Sequence, residues 1–202
     1  MSAESKSGLV PLDMSNPIWD RFFWVAPLVV VGTREPDGAI DFAPKHMATP
    51  LGWENYFGFV CTPRHRTYQN ARRERSFTVS YPRPDQVVLA SLAAAPRCGS
   101  DEKPSLDALP TVPAAVVPGA LLRDAYLHLE CQLENVYDGF GENSLVAGRV
   151  VAARADESAL RISDQDDQDL LMQSPLLAYV PPRRYARIDR SFSFPFPAGF
   201  KR

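Results

Sequence analysis

The chain has 202 residues, of which 45% are apolar and 23% are charged, proportions typical of an ordinary globular domain and not of a fibrous or disordered chain. A formal charge of −2 argues against a protein whose main role is to neutralise a nucleic-acid backbone, which would require a clustered excess of lysine and arginine. The three cysteines are widely spaced and odd in number, which argues against a disulfide framework and favours a reducing compartment.

The sequence also argues against a membrane span and a structural metal. The longest apolar run, residues 24–32, is about half as long as a membrane-spanning helix requires, and the first residues lack a signal-peptide pattern. His46, His65 and His128 show no metal-ligand spacing. We therefore predict a soluble, cytoplasmic protein with no metal site, no membrane contact and no nucleic-acid partner.

The first predicted elements form a β-hairpin. Residues 22–33 are rich in β-branched and aromatic side chains, and the pair Asp37-Gly38 that follows is a strong hairpin signal. A short strand at residues 39–43 completes the hairpin. An irregular stretch then separates it from a third strand, which its aromatic and β-branched content predicts at residues 55–62.

The middle of the chain combines helices with a strand and a long irregular segment. A helix is predicted at residues 67–75, with Thr67 as its N-cap, and is followed directly by a strand at residues 76–81. Residues 84–95 have helical composition and begin with proline. Residues 97–119 are rich in proline and polar side chains without a clear period, so we predict an irregular segment on the surface.

The clearest strands lie in the last third of the chain. Alternating apolar and polar side chains predict a long strand at residues 125–137, and a turn separates it from its hairpin partner at residues 144–155. A short helix and a loop are predicted within residues 156–173. The domain closes with short strands at residues 175–180 and 184–188.

Many strands at short spacing with only two or three helices predict a mainly β fold, either a barrel or a sandwich, and not a doubly wound sheet. The sequence contains neither a GxGxxG nor a P-loop motif, so glycine-rich dinucleotide binding and P-loop binding are not expected. We place one domain at residues 22–190, after an N-terminal leader at residues 1–21 and before a C-terminal tail at residues 191–202.

The segment PRHRTYQN, residues 63–70, is the most informative candidate site. Arg64 and Arg66 offer charged donors, Thr67 offers a hydroxyl group, and the start of a helix offers unpaired N–H groups. Together these groups are suited to a phosphate. A solvated basic helix start explains the same residues, and the segment alone does not decide between the two interpretations.

A second candidate is the segment PKHMAT, residues 44–49, where the chain leaves regular strand pairing. Its free backbone groups suit the mixed donor and acceptor rim of a flavin ring, and Lys45 would place a cation where negative charge collects on a reduced flavin. The alternative is that His46 and Met47 simply cap the end of a barrel. Asn143, in the turn of the late hairpin, is a weak candidate for substrate contact, since a polar residue in a β-turn is usually only a turn former.

Taken together, these segments resemble the flavin reductase-like family. The matching order is APLVVVGT, then DFAPKHMAT, then TPRHRTYQNARRERSFTVSYP, in which a basic residue precedes threonine and asparagine follows three residues later. The segments GENSLVAGRVVAA and SPLLAYVPPRRYARI resemble the family's later turn, strand and closing segment. The resemblance spans roughly residues 22–190, and its specificity lies in the order and spacing of the motifs.

The resemblance implies a six-stranded antiparallel split barrel of Greek-key type with a few short helices. It also implies a homodimer that holds FMN in the groove between its two copies. The residues expected near the FMN phosphate are Arg64, Arg66, Thr67 and Asn70. Those expected near its ring are Lys45, His46, Met47, Ala48 and Thr49. In many members of the family, NADH or NADPH delivers hydride to the flavin.

Our first hypothesis is an FMN-dependent oxidoreductase that transfers hydride from NAD(P)H to the bound flavin and then to a second flavin or another small-molecule redox substrate. Hydride transfer requires no catalytic acid, base or nucleophile, so we predict binding residues and no catalytic ones. The alternative is a non-catalytic flavin- or haem-binding module that serves as carrier, sensor or electron relay. Two departures from the family favour it: Lys45 and His46 where many members have serine or phenylalanine, and Asn143 where reductases often have histidine.

Overall fold

A curled antiparallel sheet of seven strands forms the centre of the protein in the computed structural model, which describes residues 8–99, 101–161 and 166–200. The strands in chain order are β1 (Ala26–Pro27), β2 (Val29–Arg34), β3 (Ile40–Lys45), β4 (Ala48–Pro50), β5 (Tyr56–Cys61), β6 (Ser76–Tyr81), β7 (Thr111–Pro113), β8 (Ala120–Leu122), β9 (Leu127–Phe140), β10 (Asn143–Ala155), β11 (Leu176–Val180) and β12 (Arg184–Ile188). The α-helices are α1 (Arg66–Glu74), α2 (Val87–Leu92) and α3 (Asp167–Gln173), and 3-10 turns occur at Pro84–Gln86, Pro104–Ala108 and Glu157–Ala159. Within these residues no helix has the length and apolarity needed to cross a bilayer.

The two edges of the main sheet are joined by the chain itself. Its strand order is β3-β2-β6-β9-β10-β5-β4, and every neighbouring pair is antiparallel. The edge strands β3 and β4 are separated in sequence only by His46 and Met47. The Met47 carbonyl already accepts a hydrogen bond from the Val60 N–H at 2.8 Å, so the chain changes partner strand within this kink. The sheet therefore curls into a barrel that is split between β3 and β4.

The predicted mainly β antiparallel fold is confirmed, but the prediction of six strands differs from the observed count. The irregular stretch expected after residue 43 contains the end of β3 and the whole of β4, because the two-residue kink carries the chain from one sheet edge to the other. Outside the main sheet, β1, β11 and β12 form a three-stranded sheet and β7 pairs with β8. The predicted first hairpin is present, with β2 paired to β3 and Gly38 at a φ of 91°.

Helix α1 packs against β2, β3 and β6 at one end of the barrel, and its Tyr68 and Ala71 side chains enter the barrel core. The prediction of Thr67 as the N-cap is wrong. His65 holds that position with an extended backbone (φ −81°, ψ 142°), and Thr67 is the second helical residue. The helix begins earlier because the chain before it closes a turn, in which the His65 N–H donates to the Thr62 carbonyl at 3.0 Å.

Apolar side chains fill the interior of the barrel. The larger ones are Val29, Val31, Phe57, Phe59, Phe77, Val79, Cys131, Leu133 and Val146. Phe59 and Phe77 meet edge to face, with 5.1 Å between their ring centroids. An interior filled in this way is a packed core and not a ligand chamber. A ligand must therefore bind at the ends or on the outer surface of the barrel.

Residues 97–99 and 101–122, which we call the covering segment, cross the outer face of the sheet. Their apolar side chains pack with those of β2, β3 and α2 in a second buried cluster. Glu130 of β9, which is 2% exposed, accepts hydrogen bonds from the N–H groups of Ala115, Val116 and Val117 at 2.9, 2.6 and 3.1 Å. The segment predicted as an irregular surface stretch is therefore anchored to the barrel wall.

Candidate functional site

A cavity of about 450 Å³ lies between the end of β3, the start of α1 and the residues after α2. Its wall includes four of the predicted cofactor-binding residues, Lys45, Arg64, Arg66 and Thr67, which we call the basic corner. The facing wall comes from residues 93–96 and from the covering segment. The volume falls within the roughly 300–1,000 Å³ that is usual for small-molecule sites.

The local structure of the basic corner suits an anion. The Tyr68 N–H already donates to the His65 carbonyl at 3.1 Å, so the N–H groups of Arg66 and Thr67 are the ones that the start of α1 offers, and the aligned peptide dipoles make this helix end positive. Arg64, in the turn before the helix, and Arg66, its first residue, add guanidinium groups whose planar fork matches phosphate oxygens. Lys45, the last residue of β3, adds a third cation. Three positive charges and a helix start therefore converge on one cavity.

Both arginines of the basic corner have acidic partners on exposed parts of the chain. Arg64 lies 2.8 Å from Glu142, in the turn between β9 and β10, and the two side chains are 74% and 77% exposed. Ion pairs this exposed contribute little to stability. Arg66 forms an ion pair with Asp101 of the covering segment. Neither pair buries its charge, so both guanidinium groups stay within reach of a ligand.

Behind the basic corner, a buried acid connects the covering segment to β3. Asp41 is 4% exposed and lies 3.0 Å from the Arg97 guanidinium and 3.7 Å from the Lys103 ammonium group. Lys103 also donates to the carbonyls of Phe42 and Ala93 at 2.7 and 2.6 Å. Burial raises the pKa of Asp41, an effect that Lys103 and Arg97 oppose. These bonds hold the covering segment against the wall of the cavity.

His46, at the kink, packs between aromatic side chains. Its ring lies 5.9 Å from that of Trp24 and 4.9 Å from that of Tyr179, measured between centroids. Burial, assisted by the charge of Lys45, lowers the pKa of His46. An imidazole that packs against two tilted aromatic rings fits the interpretation that His46 caps the barrel end.

The next three predicted ring-binding residues lie in different surroundings. Met47 is 39% exposed and its carbonyl is bonded to β5. Ala48 belongs to the barrel core, so its side chain cannot touch a ligand outside the barrel. Thr49 is exposed on β4, where its hydroxyl donates to the Pro50 carbonyl at 3.3 Å. A flat ligand at the kink would meet backbone groups and the Met47 side chain.

The two predicted asparagines do not line the cavity. Asn70 is fully buried: its amide donates to the Thr33 hydroxyl at 3.3 Å and its carbonyl oxygen accepts from Arg73 at 2.9 Å. It therefore attaches α1 to β2. Asn143 is exposed at the start of β10, next to Glu142, which contacts the basic corner. The hairpin tip thus reaches the site, although Asn143 itself does not line it.

Sequence reasoning missed the acidic and basic residues on the facing wall. Arg97, Asp101 and Lys103 lie in the covering segment, whose composition shows no period, and Asp41 reads as an ordinary polar position of a strand. The one available signal was the run of charges within residues 97–103, in a stretch otherwise rich in proline and small residues.

The family model for the flavin reductase like domain matches residues 24–185, which is most of the chain. The protein therefore belongs to the flavin reductase-like family, and the predicted family is confirmed. No curated protein sequence matches the chain significantly.

Solved structures share the fold. An FMN-binding protein from Thermus thermophilus with bound 1-cyclohex-2-enone has a TM-score of 0.71 and 22% identity, covering 96% of this chain and 99% of that one. The flavoredoxin of Desulfovibrio vulgaris (Miyazaki F) has a TM-score of 0.75 and 19% identity, covering 95% and 100%. The NADH:FAD oxidoreductase of Streptomyces globisporus has a TM-score of 0.65 and 17% identity, covering 82% and 87%. These likenesses confirm the split-barrel fold.

Proposed function

We propose that this protein is an FMN-dependent oxidoreductase that transfers hydride from NADH or NADPH to its bound flavin and passes the electrons to a second flavin or another small acceptor. The observation that carries the proposal is the basic corner, where Lys45, Arg64 and Arg66 converge at the start of α1 in a flavin reductase-like domain. An FMN-binding protein and an NADH:FAD oxidoreductase among the structural neighbours support the cofactor and the hydride donor.

In this proposal the protein binds and orients the cofactor, and FMN, when bound, supplies the hydride and electron chemistry. Arg64 and Arg66 hold the phosphate together with the first N–H groups of α1. Lys45 keeps a positive charge beside the ring, where it stabilises the negative charge of the reduced form. The kink at Met47 contributes backbone groups to the ring edge. The donor set and the size of the cavity fit these tasks.

We propose that a homodimer completes the site. Met47 and Thr49 lie at the surface of one copy, and Arg64 is 74% exposed, so a single copy can cover a flavin from one side only. Two-fold pairing is the commonest way for a second copy to supply the other wall. We expect the FMN-loaded protein to sediment as a dimer in analytical ultracentrifugation. A monomer that carries stoichiometric FMN would contradict this expectation.

Steady-state oxidation of NADH and NADPH tests the activity. We expect the protein with excess FMN to oxidise at least one of the two, with a turnover number in the usual enzymatic range of about 1–1,000 per second. The Arg66→Ala variant is the matched control: with both proteins at an FMN concentration that only half-saturates the wild type, its rate should fall with its loss of bound cofactor. Stoichiometric FMN binding without oxidation of either nucleotide would contradict the proposed activity.

That outcome would favour a second candidate, a flavin-binding module that relays electrons without turnover of NAD(P)H. One observation favours it: the hairpin tip that reaches the basic corner through Glu142 carries Asn143, where the family's reductases often have histidine. The flavoredoxin among the structural neighbours also fits this second candidate.

A further inference from the structure

An acidic side chain occupies the position that the proposed function assigns to the cofactor phosphate. Asp101 of the covering segment is ion-paired with Arg66, the first residue of α1. Both residues line the cavity of the basic corner, and both also line a neighbouring cavity of about 740 Å³. The ion pair therefore stands between the two cavities. An anion that binds Arg66 from the basic corner must take the place of this carboxylate.

Asp101 is held in place by its own loop. Its N–H donates to the Cys98 carbonyl at 2.9 Å, and the Cys98 N–H donates to the Glu102 carbonyl at 2.8 Å. The Arg97 guanidinium donates to the Asp101 carbonyl at 2.7 Å. The backbone of Asp101 has a φ of 62°, in the left-handed region that residues with a side chain rarely adopt. A tightly bonded loop therefore presents the carboxylate to Arg66.

The loop is also anchored on both sides. Before Asp101, Arg97 pairs with Glu35 and with Asp41. After it, Lys103 lies 3.7 Å from the same Asp41 carboxylate and bonds two backbone carbonyls. The carboxylate of Asp101 can consequently leave Arg66 by rotation of its own side chain, without unfolding of the loop. Displacement by a ligand needs no large rearrangement.

The pair is weak enough for a phosphate to displace. The side chains of Arg66 and Asp101 are 39% and 56% exposed, and pairs with this exposure hold together weakly in water. A phosphate monoester carries about 1.5 to 2 negative charges and three acceptor oxygens, so it competes well for one guanidinium. A neutral group in the same place gains nothing by displacing a carboxylate.

We propose that Asp101 competes with the flavin phosphate for Arg66: it neutralises Arg66 in the free protein and lowers the affinity for FMN without changing that for riboflavin. This inference rests on the proposed function, because it takes the basic corner as the phosphate site. It goes further by assigning control of the FMN affinity to a residue on the facing wall. Riboflavin, which lacks the phosphate, leaves the pair of Arg66 and Asp101 intact and gains no contact with Arg66.

The test is the affinity of Asp101→Asn for FMN and for riboflavin, measured by quenching of flavin fluorescence. Asparagine keeps the size of the side chain and removes its charge. We expect FMN to bind roughly two- to fivefold more tightly, since a competing surface pair is removed, and riboflavin to bind as in the wild type. When Asp101→Asn is combined with Arg66→Ala, the gain in FMN affinity should disappear, because the guanidinium that Asp101 neutralises is absent.

Asp107→Asn is the matched control, since Asp107 is an exposed acid of the same covering segment that lines only the neighbouring cavity. It should leave both affinities unchanged. Unchanged or weaker FMN binding in Asp101→Asn, or an equal gain for FMN and riboflavin, would overturn the proposal. If Arg66→Ala alone leaves FMN affinity unchanged, the phosphate site fails and this inference fails with it. If Arg66→Ala weakens FMN binding and Asp101→Asn has no effect, only this inference fails.

Discussion

FMN is expected to bind the Arg66→Ala variant at least about tenfold more weakly than the wild type, because a hydrogen bond to a charged group is worth about 1.5–3 kcal/mol. Two effects act in the same direction. The variant loses a guanidinium at the start of α1, and it leaves the negative charge of Asp101, whose remaining partner Arg97 is 3.9 Å away, beside the phosphate. Fluorescence titration of FMN measures the change. The fold should persist, because Arg66 is partly exposed and its ion pair is on the surface.

Arg187→Ala is the matched control for this prediction. Arg187 is an arginine of β12 whose side chain is 57% exposed and lies 3.1 Å from Asp189, and it does not line the cavity. Its removal should leave FMN affinity as it is. Equal FMN affinities for Arg66→Ala and the wild type would remove the phosphate assignment from the basic corner, and with it the main support for the proposed cofactor.

The free energy of unfolding of the Glu130→Gln variant is expected to be about 2–4 kcal/mol lower than that of the wild type. Glu130 is 2% exposed, and its carboxylate accepts three backbone N–H bonds and lies 3.4 Å from Arg154. Glutamine offers one acceptor oxygen in place of two and turns its own NH₂ group toward N–H donors. Hydrogen bonds to a charged group contribute about 1.5–3 kcal/mol, and the substitution removes that charge from three such bonds at a buried acceptor. Urea denaturation measures the difference.

The same carboxylate makes stability depend on pH. Burial acts to raise the pKa of Glu130, but the three N–H donors and Arg154 outweigh it and hold the pKa below its ordinary value. A carboxyl whose pKa is lower in the folded state stabilises the fold above its unfolded pKa and loses that effect as the pH falls through the folded pKa. As the pH is lowered, the free energy of unfolding of Glu130→Gln should therefore fall less steeply than that of the wild type. Glu134→Gln, an exposed acid of the same strand, should match the wild type in both measurements.

Local patterns predicted most of the fold. The strands expected at residues 76–81 and 184–188 coincide with β6 and β12, because each is a short β-rich run bounded by clear turn or helix signals. The helix after residue 66 and the late hairpin were also found. The kink was not resolved into two strands, because the switch of partner from β2 to β5 is a tertiary event that no local pattern records.

The candidate site was predicted in part for a similar reason. Arg64, Arg66 and Thr67 are close in sequence, so a local motif was enough to group them, and the structure brings Lys45 to the same cavity. Asn70 fits the motif by its spacing, but spacing alone does not show which face of α1 is buried. In the structure the Asn70 amide donates to the Thr33 hydroxyl of β2 and does not face the cavity. The facing wall depends on contacts between residues far apart in the chain, which an aperiodic segment does not reveal.

The hydrogen bond from Lys103 to the Phe42 carbonyl has a consequence for association between chains. Phe42 belongs to β3, a strand at the margin of the main sheet, and exposed strand margins are places where a foreign strand adds on and aggregation begins. A lysine seated on this carbonyl, within a segment packed over the strand, blocks such addition. The residues that shape the cavity wall thus also occupy a backbone acceptor that a foreign strand would need at this margin.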